Sequence, residues 1–185
     1  MIFKKTNSFV ASIIKLIMLF FFITETLAQE NKLRKYQNDA GILSVMYHRF
    51  DEFKYPSTNI GVEEFKSQIQ IIKKNNFEFL NPKDFEDKFF DTNKNKKIFL
   101  TIDDAFLSFY EKAWPFLKKN KIPFVLFVST EPVGKNGYMS WDQIKEIEKY
   151  DFTAIGNHSH SHEYLINYKF DSFKDDIDIS IETFR

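Results

Sequence analysis

The chain has 185 residues, 26 basic against 26 acidic side chains, and a 43% hydrophobic, 18% aromatic composition. That length points to one domain, and that apolar content argues against general disorder. Zero net charge without a basic, aromatic-interleaved stripe argues against a nucleic-acid partner, and the absence of cysteine excludes disulfides, thiolate metal knots and a cysteine nucleophile, so any metal must be held by nitrogen and oxygen.

Residues 1–28 read as a secretory signal. Lys4 and Lys5 form a basic start, an apolar run from Leu16 to Ile23 follows, and Thr26-Leu27-Ala28 offers small residues for a signal peptidase. The run is short for about 30 Å of hydrocarbon, so a cleaved signal is expected, with an uncleaved anchor as the alternative and no stable span after cleavage. The mature chain is then weakly acidic and exported, to the periplasm or the extracellular space. Residues 29–40 are polar and read as a flexible lead-in to a domain over 41–185.

Ile42 to His48 reads as a buried strand ending in polar residues. A loop with Pro56, Ser57 and Asn59 follows, and Val62, Phe65, Ile69 and Ile72 predict an amphipathic helix over 62–75. Phe77–Leu80 is a second strand, and Pro82 opens a short helix to about Phe90. Lys94, Lys96 and Lys97 read as a short solvated run. Lys97–Ile102 is a strand ending in Asp103-Asp104, and 107–120 is helical, bent or restarted by Pro115. Phe124–Val128 is a strand rich in branched and aromatic residues. Ser140 and Gln143 form a capping box for a helix over 141–150, Thr153–Ile155 is a fifth strand, and Phe173, Ile177 and Ile181 give helical spacing to the last residues. Strands alternating with helices predict parallel β/α units. The fold class is α/β, a partial or distorted (β/α) barrel, apparently truncated because the chain stops on a helix at a length short of the roughly 200 residues a closed barrel needs.

Two segments carry candidate chemistry. In Thr101-Ile102-Asp103-Asp104-Ala105 two carboxylates sit at a strand tip, where the chain turns and both can face one cleft. One can bind a metal while its neighbour takes a proton; the plainer reading is a pair of helix caps. In His158-Ser159-His160-Ser161-His162, three of the four histidines fall within five residues, just after another strand. Histidines four apart can meet one cation if the segment makes a helical turn; the plainer reading is a histidine-rich solvent loop. Two imidazoles and one carboxylate make a three-ligand site that leaves a position open for water.

The first segment resembles the Thr-Phe-Asp-Asp-Gly motif of the polysaccharide deacetylase family (NodB-like, family 4 carbohydrate esterases), and the second its His-(Ser/Thr)-x-x-His motif. Ile155-Gly156-Asn157, Met46-Tyr47-His48, Phe127-Val128 and Met139-Ser140-Trp141-Asp142 are similar to segments found there, in a likeness running from about residue 41 to the end. The resemblance implies a NodB-type fold and hydrolysis of N-acetyl groups on an N-acetylated polysaccharide. It further implies Asp103 as general base, and Asp104, His158 and His162 as ligands of a divalent metal, zinc first and nickel or cobalt next. His160 fills a variable position of the motif. His48, at a strand tip, is a candidate for lining the substrate cleft. Ala105 stands where the family has glycine, which costs about 1 kcal/mol or more and can shift the loop if φ there is positive. The family's later arginine and general-acid histidine motifs have no counterpart, so a catalytically impaired glycan-binding domain or gene fragment stands as the alternative.

Overall fold

The computed structural model describes residues 41–89 and 96–185. The expected leader over 1–28, the lead-in over 29–40, Phe90 and Lys94 lie outside the described residues. In chain order the elements are β1 (Ile42–Tyr47), β2 (Arg49–Phe50), β3 (Asn59–Ile60), α1 (Val62–Lys74), β4 (Glu78–Phe79), a 3-10 turn (Pro82–Asp84) leading into α2 (Phe85–Phe89), β5 (Lys97–Asp103), a π-helical turn (Phe109–Ala113) leading into α3 (Trp114–Asn120), β6 (Phe124–Val128), α4 (Trp141–Glu148), β7 (Thr153–Asn157), a 3-10 turn (Leu165–Asn167) and α5 (Phe170–Thr183).

Five strands form one parallel sheet in the order β1-β5-β6-β7, with β4 added against the start of β5. These are the five strands that alternating patterning predicts, and among the described residues the sheet is open rather than a closed barrel. β5 lies in the middle: β1 pairs along it from Lys97 to Ile102, β4 pairs with Lys97 and Ile98, and β6 pairs with Thr101 to Asp103. Only Phe99 in β5 escapes full burial, as expected of a central parallel strand covered on both faces. Lys97 is therefore no part of a solvated run; flanked by Ile42 and Glu78, it is 5% exposed. The small β2–β3 pair is missed by sequence patterning, because two residues per strand carry no periodicity.

The helices form for local reasons. α1 places Glu63 and Glu64 in its first turn and Lys73 and Lys74 in its last, matching the helix dipole, and buries Phe65 and Ile69 four residues apart. Before α4 the expected capping box is present: the Gln143 N–H donates to Ser140 Oγ at 3.3 Å, and the Ser140 N–H to Gln143 Oε1 at 2.8 Å. The helix expected over 107–120 is present, but after 107–108 it widens into a π turn over Phe109–Ala113. Pro115 has no N–H to give to the carbonyl of Glu111, so the ladder widens there and resumes as α3. The core under the sheet joins Phe65 and Ile69 of α1 to Leu100 and Ile102 of β5, Phe124 and Leu126 of β6, Trp114 and Leu117 of α3, and Ile144 and Ile147 of α4. Edge-to-face ring pairs, such as Phe50–Phe65 at 5.0 Å and Phe109–Phe124 at 5.4 Å, hold it in register.

The helix that the spacing of Phe173, Ile177 and Ile181 predicts is present as α5, but those apolar residues do not form its buried face. The two fully buried residues of the helix are Asp176 and Ser180, while Phe173 and Ile181 are exposed. α5 docks through its polar side, and what it docks onto is the histidine segment.

Candidate metal centre

β5 delivers the carboxylates. Asp103 is its last residue, and the chain then turns through Asp104 at φ 72° and Ala105 at φ 54°. Both aspartates are buried, at 7% and 6% exposure. The positive φ anticipated at Ala105 is real, and an L-residue there costs roughly 1–2 kcal/mol. The loop nonetheless holds its place. The Met139 N–H donates to the Ala105 carbonyl at 2.9 Å, the Leu107 N–H donates to the Gly137 carbonyl at 2.9 Å, and Phe106 bridges to Tyr138.

β7 delivers the imidazoles. From His158 to His162 the chain forms no helical turn, contrary to the geometry expected for histidines four apart; Ser159 at φ 70° and His162 at φ 57° fold the loop back instead. Backbone strain of this kind collects at functional sites, where the surroundings must hold it. The segment just after β6 is one such support. The Thr130 and Glu131 N–H groups donate to the carbonyls of Ser159 and His160, and the Ser129 hydroxyl donates to the carbonyl of His158. His160 stays out of the carboxylate cluster, with its Nδ1 2.8 Å from Thr130 Oγ1, so its ring is a strut of the loop.

The two strand ends converge. His158 Nε2 lies 3.3 Å and His162 Nε2 3.0 Å from the same oxygen, Asp104 Oδ1, and His158 Nε2 lies 3.9 Å from Asp103 Oδ2. One ligand atom each from Asp104, His158 and His162 falls within 4.8 Å of the others. Asp103 Oδ1 and Asp104 Oδ1 are buried without a well-aligned hydrogen bond, a costly state that a cation at the centre of the cluster relieves. A carboxylate with two imidazoles is moreover a borderline donor set of the kind zinc-like divalent ions favour. The residues fit a metal.

The electrostatics separate the two carboxylates. Burial pushes the Asp103 carboxyl up, with the Asp104 charge adding to it, and His158 and His48 only partly oppose this. Asp104 is pushed up by burial too, but the His158 hydrogen bond and the charges of His162 and His48 outweigh it and hold the group low. The Asp104 contact in turn raises His158. His48 is half-buried just past β1 and adds to the electrostatic balance at both aspartates.

Both strand-end segments lie inside a stretch that matches a known family: the polysaccharide deacetylase profile covers residues 90–185. The chain belongs to that family. Among curated deacetylases, the poly-beta-1,6-N-acetyl-D-glucosamine N-deacetylase of Staphylococcus epidermidis is 28% identical over 153 residues, covering 71% of this chain and 52% of the relative. The Staphylococcus aureus protein of the same name is 29% identical over 153 residues, covering 70% and 51%. The chain thus spans about half the length of the curated relatives it matches. Among solved structures, IcaB from Ammonifex degensii superposes with a TM-score of 0.65 at 26% identity, covering 78% of this chain and 68% of that one. The Streptococcus pyogenes deacetylase PplD shares the fold, with a TM-score of 0.62 at 22% identity over 78% of this chain and 68% of that one.

Sequence reasoning passed over two residues that shape the histidine loop, Asp176 and Ser180, and named Asn157 only as part of the family resemblance. The signal of the pair was two polar side chains four apart on one helix, a spacing that puts both on one face.

Proposed function

We propose that the chain is a metal-dependent N-deacetylase that hydrolyses N-acetyl groups on amino-sugar residues of a polysaccharide, a polymer of N-acetylglucosamine being the substrate class named in its curated relatives. The observation that carries this reading is the convergence of Asp104, His158 and His162 on one point, with the Asp103 carboxylate beside it. In this reading Asp104, His158 and His162 hold the ion. A divalent ion so held supplies a Lewis acid for the amide carbonyl and acidifies water toward neutral pH. Asp103, whose Oδ1 has no other partner, accepts the proton of the attacking water. The reaction adds water across the amide, releasing acetate and leaving a free amine on the sugar. His48, just past β1, would contact the sugar in this reading. The leader read at residues 1–28 would carry the reaction outside the cytoplasm, to where such polymers accumulate. Among the described residues no helix is long and apolar enough to cross a membrane.

Acetate release from N-acetylglucosamine oligomers, measured with the full chain loaded with zinc, nickel or cobalt, tests the reading. Asp104→Ala and His158→Ala should each lose both the ion and the activity. Metal-dependent deacetylation that persists in either variant overturns the assignment. A folded, metal-loaded chain that binds the oligomer and releases no acetate selects the glycan-binding alternative.

A further inference from the structure

The backbone of the histidine loop can be accounted for donor by donor. The His158 N–H donates to the Val128 carbonyl at 3.0 Å, the Ser159 N–H to Asn157 Oδ1 at 2.8 Å, and the His162 N–H to Ser159 Oγ at 3.2 Å. The two donors in the middle, from His160 at 2.8 Å and Ser161 at 3.0 Å, both go to Asp176, one to each carboxylate oxygen. Four residues further along α5, Ser180 Oγ accepts from Asn157 Nδ2 at 2.7 Å at the root of the same loop, and donates to the Ile177 carbonyl at 2.7 Å. Asp176 is one of three buried aspartates among the described residues, and the other two are Asp103 and Asp104.

We propose that Asp176 is a positioning residue for the metal centre: by accepting the paired N–H groups of His160 and Ser161, it holds the loop in the kinked shape that presents His158 and His162 to one ion. The proposal rests on the metal-site reading above. The physical case is one of alternatives. The loop carries left-handed backbone at Ser159 and His162, and both cost energy that must be offset locally. Without Asp176 two loop donors near the middle of the kink have lost their acceptors, and the relaxed backbone that lets them find water no longer fixes the spacing of the two imidazoles. A charged acceptor is also roughly twice as strong as a neutral one for this task. Groups that orient ligands in this way typically contribute 10- to 100-fold in metal affinity.

The test uses the full chain and zinc alone. Asp176→Asn keeps the shape and removes the charge and one acceptor; Asp176→Ala removes both; Asp178→Ala, exposed on the same helix and paired with Lys174, is the control. Zinc titration should show affinity about 10- to 100-fold weaker in the two Asp176 variants and unchanged in the control. The visible absorption of the cobalt-saturated proteins should change in the Asp176 variants, since a merely destabilised fold that binds cobalt normally would leave it alone. Amide exchange at His160 and Ser161 in the metal-free protein should speed up in Asp176→Asn, which keeps the question open to measurement if Asp176→Ala fails to fold. Wild-type zinc binding alongside equal binding and an equal cobalt spectrum in Asp176→Asn overturns the role of Asp176. A wild-type chain that binds no ion overturns the metal-site reading itself.

Discussion

A methyl group added at Gly156 tests how tightly β6 and β7 are fitted beneath the histidines. Gly156 pairs with Phe127 in the sheet, and its φ is ordinary, so backbone freedom is not the reason for a glycine here. Space is the reason. A Cβ at this position would sit 2.5 Å from both Cδ1 and Cε1 of Phe127 and 3.2 Å from Val125 Cγ1. Ordinary contacts begin at about 3.5 Å, so the ring must retreat by about 1 Å. One neighbour of the ring that must move is His158, with ring centroids 6.2 Å apart. Overpacking of this sort costs about 1–3 kcal/mol, against which alanine gains about 0.5–1 kcal/mol over glycine in a strand. Gly156→Ala should therefore lose about 1 kcal/mol net, within a span of about 0–2.5 kcal/mol, and for a chain of this size 1 kcal/mol lowers the melting midpoint by roughly 2–4 °C. Thermal unfolding followed by circular dichroism reads this directly. In a Phe127→Ala background the larger obstacle is gone while Val125 Cγ1 at 3.2 Å remains, so the same substitution should cost clearly less than in the wild type and gain at most about 1 kcal/mol. If Gly156→Ala stabilises the wild type, or is equally harmful in both backgrounds, the steric reasoning is wrong.

Asp103→Asn should lower acetate release by about 10²- to 10⁴-fold while zinc titration still shows near wild-type affinity; parallel loss of the ion would show that Asp103 is a ligand and not a base. Ala105→Gly relieves about 1–2 kcal/mol of left-handed strain but gives up about 0.8 kcal/mol of buried methyl and about 0.4–1 kcal/mol through the freer unfolded chain, so urea unfolding should find a change within about 1 kcal/mol of zero. A shift well beyond that in either direction contradicts the bookkeeping. Burial pushes the Asp176 carboxyl up, but the hydrogen bonds from Ser161 and the His160 N–H outweigh it and hold the group below its ordinary value. A carboxyl depressed in the fold stabilises above its unfolded value, about 3.9, and loses that stabilisation as pH falls toward the folded value. The stability advantage of wild type over Asp176→Asn should thus be level from pH 7 to about 5 and shrink on further acidification. An advantage that grows in acid refutes the assignment.

Much of the fold was legible because the parallel sheet is buried, so β5 and β6 read as short apolar runs bounded by turn signals. The capping box at Ser140 was legible because a cap is a local interaction between residues three apart. The approach of Asp104 and His158 was legible for a different reason: strand tips in parallel folds collect on one rim, so the two needed only to follow strands to be expected together. What escaped was whatever depends on contacts between elements. The inward face of α5 could not be read from apolar spacing, because its docking surface is a set of unpaired backbone donors that exist only once the histidine loop has formed. The π turn before Pro115 and the burial of Lys97 were hidden for similar reasons, one in the detail of a ladder and one in the identity of strand neighbours.

The double grip of Asp176 on the loop has a thermodynamic corollary. A segment whose one side presents ligands and whose other side seats a helix couples the two events, and such coupling is reciprocal. In the proposed metal-site reading, whatever strengthens occupancy of the ion would, by the same increment, strengthen docking of the Phe170–Thr183 helix against Asn157, His160 and Ser161. Fraying of that helix would loosen the ion in return, although the helix supplies none of the three candidate ligands.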